Sequence, residues 1–341
     1  MKSISILVIN TGGTIGMVTD KETGALIPFD FGNLYQMMPA LGNFDYTIDS
    51  YTFTPLIDSS NVTPAFWIEL ASVIEKNYEN YDGFVVLHGT DTMAYSASML
   101  SFMLENLNKP VIFTGSQLPI GVVRSDGRDN FITAVEIAAD RKYDTPVVPE
   151  VAIYFENKLL RGNRTNKFNA ENFNAFLSGN YPPLAEVGVY IRYNHNSILK
   201  PNFRSLKVHY SLDTHVAVLK LFPGISEIIV KSVLNIDGLK GVILETYGAG
   251  NAPTDKWFVA SLQEAIKQGI TIYNVTQCKG GSVEMGKYET GLALEKIGVV
   301  GGYDITTESA VTKMMFLLGQ GISGQKLKEL LQTPLRGELT L

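Results

Sequence analysis

Thr90, Asp91 and Lys167 are residue types that can pass a proton among themselves. A threonine hydroxyl is a poor nucleophile until a base takes its proton. A lysine amine serves as that base when burial and neighbours lower its pKa, and a carboxylate beside it would hold it in place. Such a set has the logic of a Ser-His-Asp relay with an amine in place of the imidazole. A further hydroxyl, Thr14, stands in Thr11-Gly12-Gly13-Thr14, where the glycines let the chain turn sharply and another molecule come close. Asp58, Ser59 and Ser60 form a third polar cluster, which on this segment alone helix capping and turn chemistry explain better than a binding role. The glycine turn alone is a weak signal: it fits a plain structural turn better than nucleotide binding, and a hydroxyl placed for chemistry needs a second motif beside it. The dinucleotide pattern G-x-G-x-x-G is not met by Gly12, Gly13 and Gly16, and the phosphate loop G-x-x-x-x-G-K-[ST] is absent. His88, beside the second threonine motif, reads as a buried structural histidine.

Chemistry of this kind needs its hydroxyls gathered at one edge. Ile6-Leu7-Val8-Ile9 and Gly83-Phe84-Val85-Val86-Leu87 are short apolar runs, as in strands buried on both faces of a parallel sheet. Each stops beside glycine and threonine. A third run over 109–114 ends in Gly115-Ser116-Gln117, and an alternating strand over 46–56 ends at Asp58. Helical patterns follow these strands, one of them opened by Thr63-Pro64. The alternation predicts parallel α/β architecture with right-handed crossovers, in which ligands sit beyond the carboxyl ends of the strands. Segments 151–155 and 159–161 flank Glu156-Asn157-Lys158 as a hairpin, which delivers Arg161-Gly162-Asn163-Arg164-Thr165-Asn166-Lys167. Such a basic cluster is ordinarily a solvated face, but its place directly after a strand turns one member back into the fold. The polar stretch 18–24 suits a lid over the site or a solvated loop. A second α/β pattern has strands over 215–221, 241–246 and 270–275 and closing helices over 307–318 and 324–331. The expectation is two doubly wound α/β domains with mainly parallel sheets. The larger, N-terminal and catalytic, spans 1–190 and the smaller, C-terminal, spans 213–341; 191–212 is polar and irregular, as in a linker.

The length of 341 residues accommodates two domains. A hydrophobic share of 45% and a charged share of 18% are those of an ordinary globular protein. Lys plus Arg is 28 and Asp plus Glu is 34, a net charge of −6, which argues against a nucleic-acid or anionic-membrane partner. The lone cysteine, Cys278, allows no internal disulfide, and no Cys/His spacing suits a metal, which points to a reducing compartment. The N-terminal apolar run is shorter than the core of a signal peptide, and no run approaches the ~18 residues of a membrane span. A cytoplasmic location is expected.

Thr11-Gly12-Gly13-Thr14-Ile15 and His88-Gly89-Thr90-Asp91-Thr92-Met93 resemble the two threonine signatures of the L-asparaginase family. Gly115-Ser116-Gln117, the segment from Arg161 to Lys167, Gly250-Asn251-Ala252-Pro253 and Gly280-Gly281 resemble parts of its cytoplasmic, type I branch. The resemblance covers nearly the whole chain, and the two threonine motifs at this separation are highly specific. It implies hydrolysis of L-asparagine to L-aspartate and ammonia, with no metal or cofactor. It implies Thr14 as the primary nucleophile, forming an acyl-enzyme ester, and Thr90, Asp91 and Lys167 as a second triad. Asp91 and Ser59 match residues that bind the substrate's charged α-groups. Asp58, Ser60, Thr90, Ser116 and Asn251 complete the expected substrate-binding set, with Asn251 reaching a neighbouring subunit's site. The implied assembly is a homodimer or a homotetramer, a dimer of dimers. One departure is Leu26, which stands where the family usually has a lid tyrosine, so any proton relay through that hydroxyl is lost or supplied elsewhere. Two other readings are a related amidase, of the glutaminase or amidotransferase type, and a non-catalytic amino-acid-binding module. The early first strand argues against the amidotransferase type, which normally carries an extra N-terminal domain. Lys167 argues against the binding module, because binding alone needs no lysine beside a threonine.

Overall fold

A computed structural model describes residues 4–19, 26–28, 41–42, 44–120, 122–286 and 289–341. The chain divides into two compact units, Met1–Tyr210 and Ser211–Leu341.

The first unit is built on an eight-stranded sheet. Its parallel part comprises β1 (Ile4–Asn10), β2 (Tyr46–Thr52), β3 (Gly83–Leu87), β4 (Val111–Thr114) and β5 (Val151–Phe155), in the spatial order β2-β1-β3-β4-β5. Strands β6 (Lys158–Arg161), β7 (Ala185–Val187) and β8 (Ile191–Tyr193) extend it antiparallel beyond β5, and β5 and β6 form the expected hairpin. β1, β3 and β4 are apolar throughout because both faces are covered. Ile6, Val8, Val85, Leu87 and Ile112 share a core with Phe131, Ala134, Val135 and Ala138 of the helix α3 (Gly127–Ala139). Leu7, Ile9, Phe84, Val86 and Phe113, which the pleat turns to the other face, are equally buried. The edge strand β2 buries Ile48 alone, which is why its sequence alternates with polar residues. Helix α1 (Pro64–Asn77) follows β2, and α2 (Met93–Met103) follows β3. Thr63 holds the cap position of α1 with extended backbone, but its hydroxyl caps nothing.

The strand order matters for function. The chain leaves β1 to one side for β2 and to the other for β3. At such a reversal the loops diverge and open a crevice beyond the carboxyl ends of the strands.

The stretch 191–212 departs from the linker reading. Ile191–Tyr193 is β8, Lys207–Val208 pairs antiparallel with Leu104–Glu105, and the Asn202 and Phe203 N–H groups both donate to Asn108 Oδ1 at 2.9 Å. Pairings of two or three residues are too short for alternation to show in sequence.

The second unit carries a parallel four-stranded sheet of β9 (Val216–Lys220), β10 (Gly241–Thr246), β11 (Thr271–Thr276) and β12 (Val300–Gly301), in that order. Its helices are α4 (Glu227–Leu234), α5 (Lys256–Lys267), α6 (Glu289–Lys296), α7 (Thr307–Gly319) and α8 (Gly324–Leu331). Leu219, Val242, Leu244 and Ile272 of the sheet pack with Val230, Phe258 and Leu262. Both units are thus α/β with mainly parallel sheets. Among the described residues no helix is long and apolar enough to cross a membrane.

Candidate active site

The loops leaving β1, β2 and β3 meet backbone to backbone. A methyl group on Gly13 would lie 2.4 Å from the Gly89 amide nitrogen, and one on Gly12 would lie 2.4 Å from the Ile57 carbonyl oxygen. One on Gly89 would lie 2.5 Å from Ser59 Oγ. Gly12 and Gly13 also hold φ of +121° and +80°, where side chains are strained. Hydrogen bonds fix the junction. The Thr11 N–H and hydroxyl both donate to the Leu87 carbonyl, at 3.1 and 2.8 Å, and the Ile57 N–H donates to the Thr11 carbonyl at 2.9 Å. Thr14 and Thr90 each follow one of the two touching glycines, and both are half-buried.

Lys167 arrives by another route. After β6 come a short turn, Gly162–Arg164, and a two-residue ladder of Asn166–Lys167 with Phe176–Leu177. The Lys167 ammonium donates to Thr90 Oγ1 at 2.8 Å and to Asp91 Oδ1 at 2.7 Å. The Asp91 side chain is 65% exposed and that of Lys167 19%. An ion pair this open contributes about 0–1 kcal/mol to stability, so its significance is the geometry it holds.

Behind Thr90 lies a buried hydrogen-bond chain. Trp67 Nε1–H donates to Ser96 Oγ at 2.9 Å, and the Ser96 hydroxyl donates to His88 Nε2 at 2.9 Å. That leaves His88 Nδ1–H to donate to the Gly89 carbonyl at 2.7 Å. Burial pushes the His88 pKa down to about 4, so the ring is neutral and structural. The Gly89–Thr90 peptide is planar and trans, so a carbonyl held toward the buried ring turns the Thr90 N–H the opposite way.

The remaining predicted residues fall in several places. Asp58 caps the short turn Ser59–Asn61 and accepts the Ser60 N–H at 2.8 Å and the Ser60 hydroxyl at 2.7 Å. Those bonds, the backbone one first, hold its carboxyl below the usual range. Asp58 and Ser60 are exposed and Ser59 is buried, its carbonyl accepting the Thr92 hydroxyl at 2.6 Å. The capping explanation is therefore real at Asp58. Ser116, at the end of β4, is buried and donates to the Leu118 carbonyl at 2.6 Å. Asn251 lies in the second unit, bridged to Tyr247. Of the lid, Met17–Thr19 pairs with Leu26–Pro28, which fixes the backbone of Leu26 opposite Thr19. Residues 20–24 lie outside the described residues. More of the basic cluster turns inward than its sequence suggested. Arg161 and Arg164 are both buried, and Arg161 pairs with the buried Glu150, which no local pattern marked.

Comparison with known proteins bears on the family of the chain. The family description "Asparaginase, N-terminal" matches residues 5–199, and "Glutaminase/Asparaginase C-terminal domain" matches residues 215–331. The chain is 45% identical over 346 residues to L-asparaginase 1 of Escherichia coli strain K12, covering all of this chain and 99% of that protein. It is 41% identical to the 60 kDa lysophospholipase of Mus musculus, covering 98% of this chain and 62% of that longer protein. The crystal structure of L-asparaginase I from Vibrio cholerae superposes with a TM-score of 0.90 at 41% identity, covering 99% of this chain and all of that one. With both halves matched and a full-length relative on the same framework, the chain belongs to the asparaginase family.

Proposed function

We propose that this protein is an L-asparagine amidohydrolase that works through a threonine acyl-enzyme ester, with no metal or cofactor. The observation that carries the reading is the contact of Lys167 with both Thr90 and Asp91, beside the loop that bears Thr14. Thr14 Oγ1 attacks the side-chain amide carbon, the C–N bond breaks, and ammonia leaves with the hydroxyl proton. The Thr90 N–H, turned away from His88, is a donor for the oxyanion. Water then cleaves the ester. Thr90, whose hydroxyl Lys167 contacts, orients that water; its oxygen joins the acyl carbon, the bond to Thr14 Oγ1 breaks, the water's proton passes to Thr14 Oγ1, and L-aspartate and free Thr14 are released. Asp91 and Ser59 hold the substrate's charged α-groups, with Asp58, Ser60, Thr90, Ser116 and Asn251 of a neighbouring subunit completing the binding set. The reading includes a cytoplasmic location and a homodimer or homotetramer. It is supported by the L-asparaginase relatives and by the family whose two domains the chain contains.

Ammonia release from L-asparagine and L-glutamine, by wild type and Thr14→Ala side by side, tests it. Activity on asparagine that falls at least about 10³-fold in the variant is expected. Wild type that binds asparagine and releases no ammonia would exclude the enzyme and favour a sensing role. Comparable rates on glutamine would favour the broader amidase.

A further inference from the structure

We infer that the buried Glu150–Arg161 ion pair is the positioning element for Lys167. Arg161 closes β6, six residues before Lys167, and both side chains of the pair are 4% exposed. The guanidinium forks onto the carboxylate, with Nε 2.6 Å from Oε2 and Nη2 3.2 Å from Oε1. Nη2 also donates to the Ser197 carbonyl at 2.7 Å, and the Tyr181 hydroxyl donates to the same oxygen at 2.9 Å. The Tyr181 ring lies 4.5 Å from the guanidinium carbon. Glu150 Oε1 further accepts the Leu199 N–H at 2.8 Å. Three stretches of chain, at Glu150, Tyr181 and Ser197, thus converge on one planar cation.

A buried ion pair is weak evidence for a role in stability, since apolar residues of similar volume often serve as well or better. What a fork on a carboxylate supplies is direction. Here the direction is passed forward along the chain. The Arg161 carbonyl accepts the Thr165 hydroxyl at 2.7 Å, across the tight turn Gly162–Arg164. Within that turn Gly162 is seated on α2, where a methyl group would lie 2.9 Å from the Ala97 Cβ. Thr165 is fully buried, and the Asn166–Lys167 ladder follows it directly. Helix α2 begins just after Thr90 and Asp91. Both sides of the amine–hydroxyl contact are therefore referred to the same helix. Thr90 is tied to it by the chain, and Lys167 is tied to it by the Gly162 seat, with Arg161 setting the angle of approach.

The inference rests on the role proposed for Lys167. A misplacement of that amine on the order of 1 Å costs about 10²-fold in rate. The test is kcat, KM and Tm for Arg161→Lys, for the paired change Glu150→Leu with Arg161→Met, and for Lys167→Ala. Arg161→Lys keeps the charge and loses the fork. The expected result is a kcat lowered about 10- to 100-fold in both pair variants with KM within about twofold of wild type. Tm in the paired variant is expected at or above wild type. A wild-type kcat in both variants overturns the inference, as does a kcat loss that comes with a raised KM and a lowered Tm. If the paired variant does not fold, Arg161→Lys decides. Full activity in Lys167→Ala removes the Lys167 relay itself, a failure distinct from that of the ion pair.

Discussion

His88 serves the crevice from behind, through one carbonyl oxygen. Its ring is neutral because burial opposes the charge, and this gives stability a specific pH dependence. In the unfolded chain the imidazole takes up a proton near pH 6.5, and in the folded chain not until about pH 4. Between those values the unfolded state binds more protons, so stability falls as pH drops from 6.5 to 4, by up to about 3 kcal/mol. Above pH 6.5 this contribution is flat. Denaturant midpoints for wild type and His88→Gln between pH 4 and 8 should show the extra acid slope in wild type only, and parallel curves would refute the account. At this scale the sequence is most readable where side-chain types are scarce. Two threonines beside glycines, one carboxylate and one lysine are residue types that chemistry requires. Their supports were invisible, because nothing local links Glu150 to Arg161, or Trp67 to Ser96 and His88; only the packing of β3, α1 and α2 brings the latter three together.

Elements were legible in proportion to their periodicity. The strands β1, β3 and β4 announced themselves as apolar runs, and the β5–β6 hairpin by its turn residues. The two-residue strand β12 and the pairs made by 191–212 carry no pattern to detect. Helix α7 hides its main feature in the same way. Lys313 sits in its apolar stripe, yet its ammonium is 2.6 Å from Glu338 Oε1, with both side chains 0% exposed. It also donates to the Leu331 and Thr333 carbonyls at 2.9 and 2.7 Å, while Glu338 accepts the Leu335 and Arg336 N–H groups at 3.0 and 2.7 Å. Burial lowers the lysine pKa against the opposing pull of Glu338. The pair fastens the C-terminal tail to α7. Glu338→Leu leaves a buried ammonium unpaired and should destabilise the protein by about 3–5 kcal/mol in denaturant unfolding, with much of the loss recovered when Lys313→Met is added. A single variant within about 1 kcal/mol of wild type would show that the pair holds nothing.

For the molecule as a whole, the two successive α/β patterns gave the architecture, because each repeats strand and helix at lengths that periodicity resolves. Assembly was not legible from composition and came from the family resemblance alone. Val218, Phe222, Ile228 and Ile236 on the second unit are apolar and exposed, the kind of surface that an assembly covers. Light scattering on the purified protein should return the mass of a dimer or a tetramer of the 37.5 kDa chain, and a stable monomer would remove the oligomer from the proposal.

The meeting of Gly12, Gly13 and Gly89 also limits how the crevice can diversify. Its floor is made of main chain, so it offers natural selection no side chain to trim, and any added carbon pries the loops apart. Under the proposed function, new substrate preferences would therefore be written beside it, at exposed residues such as Asp58 and Asp91. Lineages built on this floor can wander in what they accept while the place proposed for acyl transfer stays where the strands put it.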